Sequence, residues 1–236
     1  MNGIIVLDKP VGYTSFDCVA VVRKLAGEQK IGHCGTLDPN ATGVLVVCVG
    51  KATKIIDFID SFNKSYRCEC TLGTRTDTQD IWGNPIGESV RTSFTEDEIR
   101  AALKGFEGEI DQVPPMFSAK WVNGQRAYDL ARKGREVELE ARKITVSKLD
   151  LVSFDFETQK FVFDIECSRG TYVRTICSDL GDRLGCGACM SALRRTTACG
   201  FSLDDCCSLE DVKTKDISTL VKPVDICVNG KVIGRF

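Results

Sequence analysis

An uninterrupted apolar run, Val44 to Val49, constrains the fold of this chain more than any other segment. Six consecutive apolar residues without polar alternation predict a strand that is covered on both faces. The run is far too short to cross a bilayer, which takes about 20 apolar residues. The strand therefore belongs to the interior of a globular domain, and a chain of 236 residues is long enough to build the core around it.

The segment before this run, Gly32 to Gly43, places one carboxylate, Asp38, directly before Pro39. Pro39 fixes its own φ and pushes Asp38 out of the helical region. The glycines of the segment permit backbone shapes that other residues resist. An ordinary Asp-Pro turn is the plain alternative, and for an isolated pair it is the commoner case. In this context the segment predicts a stiff loop that presents a reactive carboxylate.

This segment resembles the signature of the bacterial TruB-type tRNA pseudouridine synthases, in which a GHxGTLDPxATGVL block carries the catalytic aspartate. The resemblance continues in four further blocks in the right order, at Leu7 to Pro10, Lys64 to Arg67, Gly73 to Thr78 and Ser168 to Thr175. Separate blocks at the right spacing make chance similarity improbable, so the chain is identified as a member of this family.

The pattern of elements favours an α+β fold, because strands come in groups with interspersed helices. The resemblance implies the pseudouridine synthase fold, a curved mixed β-sheet flanked by helices, with an active-site cleft and an RNA-gripping insertion. We expect a catalytic domain over residues 1–210 and a short C-terminal tail over residues 211–236, without a full PUA domain.

Local signals predict the remaining elements. The predicted strands are Gly3 to Leu7, Tyr66 to Leu72, Ile144 to Phe156, Phe161 to Cys167 and a terminal hairpin of Val224 to Val228 with Lys231 to Ile233. The predicted helices begin at Thr14 or Ser15 and end at Gly27, cover Ala52 to Ser61, run from Glu96 to Lys104 behind a Thr95–Glu98 capping box, cover Gln125 to Lys133 up to Gly134, and open near Thr171.

The net charge of −2 is unusual for a protein that binds RNA, because neutralised phosphates normally supply most of the non-specific affinity. The charge is unevenly distributed, however, since residues 118–143 are rich in lysine and arginine and residues 94–111 are acidic. The plain alternative is that these charges only solvate a helix. The resemblance implies that the segment from Trp121 to Gly134 grips the T-arm of tRNA.

Thirteen cysteines in a long chain without an export signal indicate reduced thiols in the cytoplasm rather than disulfides. A four-thiolate zinc site is the alternative, but cysteine also packs as a small apolar residue, and we expect no metal. The resemblance implies a reaction without a cofactor. Cys34, where relatives often have threonine, leads to the hypothesis of a thiol near the site whose modification affects activity.

The resemblance implies three catalytic residues. Asp38 is the nucleophile, Tyr66 stacks on the flipped-out uracil, and Arg174 pairs with the Asp38 carboxylate. A base stacked on an aromatic ring gains about 1 to 3 kcal/mol, which offsets the cost of leaving the RNA stack. Without the motifs, Tyr66 would be an ordinary strand tyrosine and Arg174 a solvated charge near the start of a helix.

Four further residues are implied as substrate-binding. Tyr172 and Leu193 line the base pocket, and His33, the only histidine, enters the RNA loop as a wedge. Lys9 lies beside the site, although a supporting turn is at least as good an interpretation as direct substrate contact. On sequence alone, a lone histidine is more often structural, and Leu193 is simply a core leucine.

The resemblance implies the isomerisation of uridine to pseudouridine at position 55, in the TΨC loop of tRNA. The alternative is a non-catalytic tRNA-binding or RNA-folding protein on the same scaffold. A glycosidase with paired carboxylates is much less favoured, because no second acid stands out in a comparable block. We expect a cytoplasmic monomer with tRNA as its partner and no membrane association.

Overall fold

A computed structural model of the chain describes residues 1–88, 93–118, 120–122, 124–135, 137–228 and 231–235. The strands are β1 Gly3–Lys9, β2 Ile31–Cys34, β3 Thr42–Val49, β4 Lys64–Leu72, β5 Gly108–Gln112, β6 Trp121–Val122, β7 Gln125–Arg126, β8 Arg142–Asp155, β9 Lys160–Cys167, β10 Ala188–Ala198, β11 Phe201–Ser202, β12 Cys207–Ser208, β13 Asp225–Val228 and β14 Lys231–Arg235. The helices are α1 Ser15–Ala26, α2 Ile56–Asp60, α3 Glu96–Lys104, α4 Ala127–Ala131, α5 Val173–Arg183, α6 Leu209–Thr214 and α7 Ile217–Leu220.

The chain divides into two compact units. The first unit combines Met1–Tyr66 with Leu193–Phe236, and the second unit is Arg67–Ala192. The boundaries fall within β4 and within β10, so each of these strands contributes residues to both units.

The first unit has a mixed sheet, in which the strand order is β12-β1-β3-β10. Here β1 pairs antiparallel with β3 and parallel with β12, while β3 pairs parallel with β10. Both parallel and antiparallel pairs are therefore present, as expected for an α+β fold. The prediction of a mixed sheet flanked by helices is confirmed.

The predicted central strand is confirmed as β3, and every residue from Val44 to Val49 is fully buried. Alternate side chains point into two different clusters. Val44, Val46 and Cys48 pack in one cluster with Ile4 and Val6, which come from β1. The other face of β3 packs against α1. An apolar run without alternation thus corresponds to a strand buried on both faces.

Helix α1 follows its sequence signals closely. Thr14 is the N-cap, and its hydroxyl accepts a hydrogen bond from the N–H of Asp17, whose side chain in turn accepts one from the N–H of Thr14. Gly27 ends the helix in the left-handed conformation at φ 60°. The predicted start at Thr14 or Ser15 and the predicted end at Gly27 are both confirmed.

The helix predicted over Ala52 to Ser61 divides into two parts. Gly50–Ile55 is a 3-10 helix, and only Ile56–Asp60, which is α2, is α-helical. The Thr53 hydroxyl donates a 2.8 Å hydrogen bond to the carbonyl oxygen of Gly50, which caps this tighter turn locally. Side-chain hydrogen bonds of this kind compete with regular helix formation.

The second unit has the strand order β4-β9-β8-β5. Strands β8 and β9 pair antiparallel, as predicted for these two alternating runs. Helix α3 runs from Glu96 to Lys104 with both capping-box bonds of Thr95 and Glu98 present, so this prediction is confirmed residue for residue. Helix α5 opens at Val173, two residues after the predicted position.

The helix predicted over Gln125 to Lys133 is shorter than expected. Gln125–Arg126 forms β7, which pairs with β6, and α4 covers only Ala127–Ala131. Because Gln125 and Arg126 pair with β6, they are strand residues and the helix begins only at Ala127. The turn of the predicted terminal hairpin, between the paired β13 and β14, falls on residues 229 and 230, which lie outside the described residues.

Candidate active site

The loop between β2 and β3, residues 35–41, carries Asp38 in the first unit. Its backbone is fastened at several points. The Ser15 hydroxyl accepts a hydrogen bond of 2.9 Å from the Leu37 N–H and lies 3.2 Å from the Leu37 carbonyl oxygen, to which it donates. The Gly12 N–H donates a 2.9 Å bond to the carbonyl oxygen of Pro39. Hydrogen bonds to backbone atoms therefore hold both neighbours of Asp38, in agreement with the predicted stiff loop.

Lys9 is fully buried and forms a hydrogen bond with the same loop. Its ammonium group donates hydrogen bonds to the carbonyl oxygens of Pro10 at 3.0 Å, Tyr13 at 2.6 Å and Pro39 at 3.1 Å. Burial lowers the pKa of Lys9, and the nearby Asp38 carboxylate opposes this effect. Three acceptors use all three donors of the ammonium group, which favours the supporting turn over direct contact with a substrate.

The first unit also contains three other residues of the predicted site. Asp38 is half-buried, whereas Tyr66 on β4 and Leu193 on β10 are buried. His33 lies on β2 opposite Val47 of β3 and is half-buried. Burial lowers the pKa of His33, and the positive charge of Arg195 lowers it further.

Arg174 belongs to the second unit, where it is the second residue of α5 and only 5% exposed. Its Nη1 donates a 2.7 Å hydrogen bond to the carbonyl oxygen of Thr78, and its Nη2 donates a 3.0 Å bond to the carbonyl oxygen of Phe117. Asp80 Oδ2 lies 3.8 Å from Nη1. A side chain with this burial and these bonds is not a solvated charge, so that alternative is wrong.

Tyr172 precedes α5 and is held through its backbone. Its N–H donates to the Gln112 side-chain oxygen at 2.8 Å, and its carbonyl oxygen accepts from the Gln112 amide nitrogen at 3.0 Å. The Arg142 guanidinium lies 4.9 Å from the centre of its ring. The aromatic ring is thus fixed in place and half-buried. Because Asp38 and Arg174 belong to different units, their expected ion pair stays a prediction.

The basic segment, which runs from Trp121 to Gly134 in the second unit, exposes an aromatic ring beside an arginine. Trp121 is 61% exposed, and the Arg126 guanidinium lies 4.7 Å from the centre of its ring. Arg132, Lys133 and Arg135 are also exposed. Exposed aromatic rings and guanidinium planes are the groups on which unpaired bases stack.

The structure contradicts the hypothesis that Cys34 is a modifiable thiol. Cys34 is fully buried, and its sulfur lies 3.8 Å from the sulfur of Cys48. The hydrogen bond with Cys199 lowers the pKa of the Cys34 thiol, but the hydrogen bond with Cys48 and burial together outweigh it, so the pKa is raised overall. A buried, protonated thiol is inert, because the thiolate is the reactive form.

Neither a metal centre nor a membrane-spanning helix is found among the residues that the structure describes. Among the residues that the structure describes, no group of three or more histidine, cysteine, aspartate or glutamate side chains is arranged to hold a metal ion. Within the same residues, no helix has the length and apolarity to cross a membrane.

The sequence reasoning missed Arg195, whose fully buried guanidinium contacts both ends of the Asp38 loop. A signal was present, since Leu193 and Arg195 occupy the same face of β10 at a spacing of two residues. An arginine on the buried face of a strand is unusual enough to mark the position.

The chain is similar to known proteins over most of its length. Residues 23–173 match the family model described as TruB family pseudouridylate synthase (N terminal domain), and residues 174–229 match the one described as tRNA pseudouridylate synthase B C-terminal domain. The protein named tRNA pseudouridine synthase B from Alkaliphilus oremlandii is 45% identical over 226 residues, which are 95% of this chain and 75% of the relative. The one from Clostridium acetobutylicum is 46% identical over 228 residues, 97% of this chain and 78% of the relative.

Solved structures give the same result. A chain of the structure titled as a Cbf5-Nop10-Gar1 complex is 31% identical and covers 89% of this chain with a TM-score of 0.70. A chain of an H/ACA RNP bound to a substrate RNA containing 2'-deoxyuridine is 29% identical and covers 89% with a TM-score of 0.67. The present chain spans about half the length of these two solved chains, 54% and 52% respectively. With a family model over residues 23–173 and a relative that is 45% identical over 95% of this chain, the chain belongs to the TruB family of pseudouridylate synthases.

Proposed function

We propose that this protein converts uridine to pseudouridine at position 55 in the T loop of tRNA. The observation that carries the proposal is a single carboxylate, Asp38, on a loop whose backbone is fastened on both sides of it. Membership of the TruB family supports the reaction class, and the names of the relatives support tRNA as the substrate.

The reaction is an isomerisation and needs neither an oxidant nor an energy source. The bond from the ribose carbon to the uracil nitrogen breaks, the base turns, and a bond from the same ribose carbon to a ring carbon forms. That ring carbon releases its proton and the freed ring nitrogen takes one up, so the composition does not change. We assign Asp38 as the nucleophile that supports this exchange, either through an adduct on the sugar or by stabilising positive charge there. A rigid mount suits this role because the carboxylate must meet the reacting atom in one orientation.

Arg174 and Tyr66 complete the proposed catalytic set. Arg174 is held by two backbone carbonyl groups, so its guanidinium has a fixed direction. We assign it to keep the Asp38 carboxylate ionised and oriented. Tyr66, buried on β4, is assigned to stack on the uracil after the base has left the RNA stack.

The remaining residues are assigned to substrate recognition. Leu193 packs against the base, Tyr172 lines the pocket, and His33 fills the space that displaced bases leave. Lys9 is assigned as the residue that supports the Asp38 loop, because its donors are used by backbone carbonyl groups. No cofactor is required by this assignment.

The basic segment from Trp121 to Gly134 is assigned to hold the T-arm. Its exposed Trp121–Arg126 stack offers a flat surface to unpaired bases, and its exposed cations face phosphates. A local basic surface of this kind explains how a chain of net charge −2 binds RNA.

We further propose that the enzyme acts as a monomer in the cytoplasm. Residues 1–210 are the catalytic part, and residues 211–236 are a short tail. Measuring the size of the free protein and of its complex with tRNA tests whether it is a monomer.

The non-catalytic alternative predicts tRNA binding without product. The test is to incubate the protein with an unmodified tRNA transcript and to map pseudouridine by position. We expect one product at position 55 and none in a matched transcript that carries cytidine there. Binding without product at any position would overturn the proposal in favour of the RNA-binding alternative.

A further inference from the structure

Arg195 lies in the interior of the first unit although it carries a permanent positive charge. It has no exposed surface, and it heads the largest fully buried side chains among the described residues. Taking a charge out of water costs several kcal/mol, and a well-packed apolar side chain of similar volume is often at least as stable. Stability alone therefore gives a weak reason for an arginine at this position.

The guanidinium group joins the two ends of the Asp38 loop. Nε donates a 2.7 Å hydrogen bond to the carbonyl oxygen of Val44, and Nη2 donates a 3.2 Å bond to the carbonyl oxygen of Gly35. Gly35 directly follows β2, Val44 lies near the start of β3, and Asp38 is between them. Because the guanidinium is planar and rigid, these two bonds fix the separation of the loop ends.

The backbone of Arg195 is tied to the same loop. Arg195 pairs with Gly43 in the parallel ladder between β10 and β3. A Cβ atom at residue 43 would overlap the carbonyl oxygen of Arg195, so the two chains approach more closely than a side chain allows. The position of Arg195 relative to the loop exit is thus set by main-chain contact, and its side chain then reaches the loop entrance.

The Asp60 carboxylate also lies near the loop entrance. A Cβ atom at residue 35 would lie 3.2 Å from Nη1 of Arg195 and 3.0 Å from Oδ1 of Asp60. Asp60 also forms a 3.1 Å ion pair with Lys64. The Arg195 guanidinium and the Asp60 carboxylate therefore both lie close to Gly35. Residue 35 must be small for the guanidinium to reach its carbonyl oxygen.

We propose that Arg195 is a positioning residue, which holds the loop ends at the separation that keeps the Asp38 carboxylate in its reactive orientation. The inference rests on the proposed role of Asp38. Arg195 is buried and acts through the loop rather than by contact with RNA. Catalytic groups work when they are held to within about 0.5 Å, and a misplacement of about 1 Å can cost roughly a hundredfold in rate.

The test is single-turnover pseudouridine formation with enzyme in excess over an unmodified tRNA transcript. Arg195→Met keeps most of the apolar length of the side chain and removes both loop bonds, while Arg195→Lys keeps the charge but replaces the planar fork of donors with one ammonium group on a flexible stem. Arg194→Met is the matched control, because this neighbouring arginine pairs at 2.7 Å with Asp8 instead. The maximal rate reports on chemistry, whereas a misfolded fraction only raises the enzyme concentration at half-maximal rate.

We expect Arg195→Met to lower the maximal rate by about 10 to 100-fold, Arg195→Lys to lower it at least tenfold, and Arg194→Met to stay within twofold of the wild type. The half-saturating concentration stays within twofold in all three. An Arg195 variant with the wild-type maximal rate overturns the inference, whatever its half-saturating concentration. If Arg195→Met does not fold, the maximal rate of Arg195→Lys decides the test. A wild-type protein that yields no product overturns the proposed function instead.

Discussion

Asp80 Oδ2 lies 3.8 Å from Nη1 of Arg174, and both side chains are largely buried in the second unit. Removing one partner of a buried ion pair costs about 3 to 5 kcal/mol, because a charge stays buried with less compensation. We therefore expect Asp80→Asn to lower the free energy of unfolding by about 3 kcal/mol in a denaturant titration.

The control for this substitution is Asp182→Asn. Asp182 forms a shorter pair with Arg75, at 2.7 Å, but about half of each side chain is exposed. Exposed pairs contribute roughly 0 to 1 kcal/mol. An equal loss of unfolding free energy in the two variants would contradict the view that burial, rather than distance, determines how much the Asp80–Arg174 pair stabilises the protein.

Several elements were predictable because the decisive interactions are local in sequence. The capping bonds of α1 and α3 join residues three apart, and the run from Val44 to Val49 shows its double burial in its composition. The shortened α4 was not predictable in this way, because its first residues pair with β6 across a hairpin.

The chemistry-bearing residues were found by motif, whereas their supports were not. Lys9 was predicted near the site, but its three backbone acceptors become visible only when Tyr13 and Pro39 are brought to it by the fold. Arg195 lies 151 residues from Val44 in sequence, so no local pattern shows their hydrogen bond. Interactions between distant segments are the part that a single sequence leaves undetermined.

Gly43 is expected to tolerate no side chain. Its φ is 102°, and an added Cβ would overlap the carbonyl oxygen of Arg195. Backbone strain and overpacking together predict a loss of at least about 3 kcal/mol for Gly43→Ala, measured by denaturant unfolding.

The matched control is Gly27→Ala, because Gly27 also has a positive φ, 60°, but nothing lies within 4 Å of the added atom. We expect about 1 to 2 kcal/mol there, from the left-handed conformation alone. If Gly43→Ala lowers the free energy of unfolding no more than Gly27→Ala does, the close approach of β3 and β10 is not the reason for a glycine at position 43.

His33 gives a prediction about pH. Burial, followed by the charge of Arg195, lowers its pKa below the ordinary value of 6.5. Below pH 6.5 the unfolded chain binds a proton that the folded chain resists, so the His33 contribution to stability is complete above this pH and declines as the pH falls. We expect His33→Gln to lessen the loss of stability on acidification, measured from about pH 7 to pH 5.

Nuclear magnetic resonance of this single histidine supplies the direct readout. We expect its titration midpoint below 6.5 in the wild-type protein and a higher midpoint in Arg195→Met, because one cause of the shift has been removed. A midpoint that does not move on removal of Arg195 would contradict the assigned electrostatic contact.

The basic segment from Trp121 to Gly134 and the adjoining Arg135 are expected to contribute phosphate contacts. Lys133→Ala combined with Arg135→Ala should weaken tRNA binding and reduce the slope of log affinity against log salt by about 1 to 2. The control removes two lysines of the β8–β9 pair, Lys148 and Lys160, which already pair with Asp150 and Glu69. A slope that is unchanged in the first variant, or equally reduced in the control, would show that this segment faces away from the RNA.

The most direct test of the central claim compares the wild-type protein with Asp38→Asn on one unmodified tRNA transcript. The substitution keeps the size of the side chain and removes the charge that we assign as nucleophile. We expect no pseudouridine from the variant while its tRNA affinity stays within about twofold of the wild type, since phosphate contacts supply most of that affinity. Pseudouridine formed by Asp38→Asn at the wild-type rate would contradict the assignment of Asp38 as the catalytic residue.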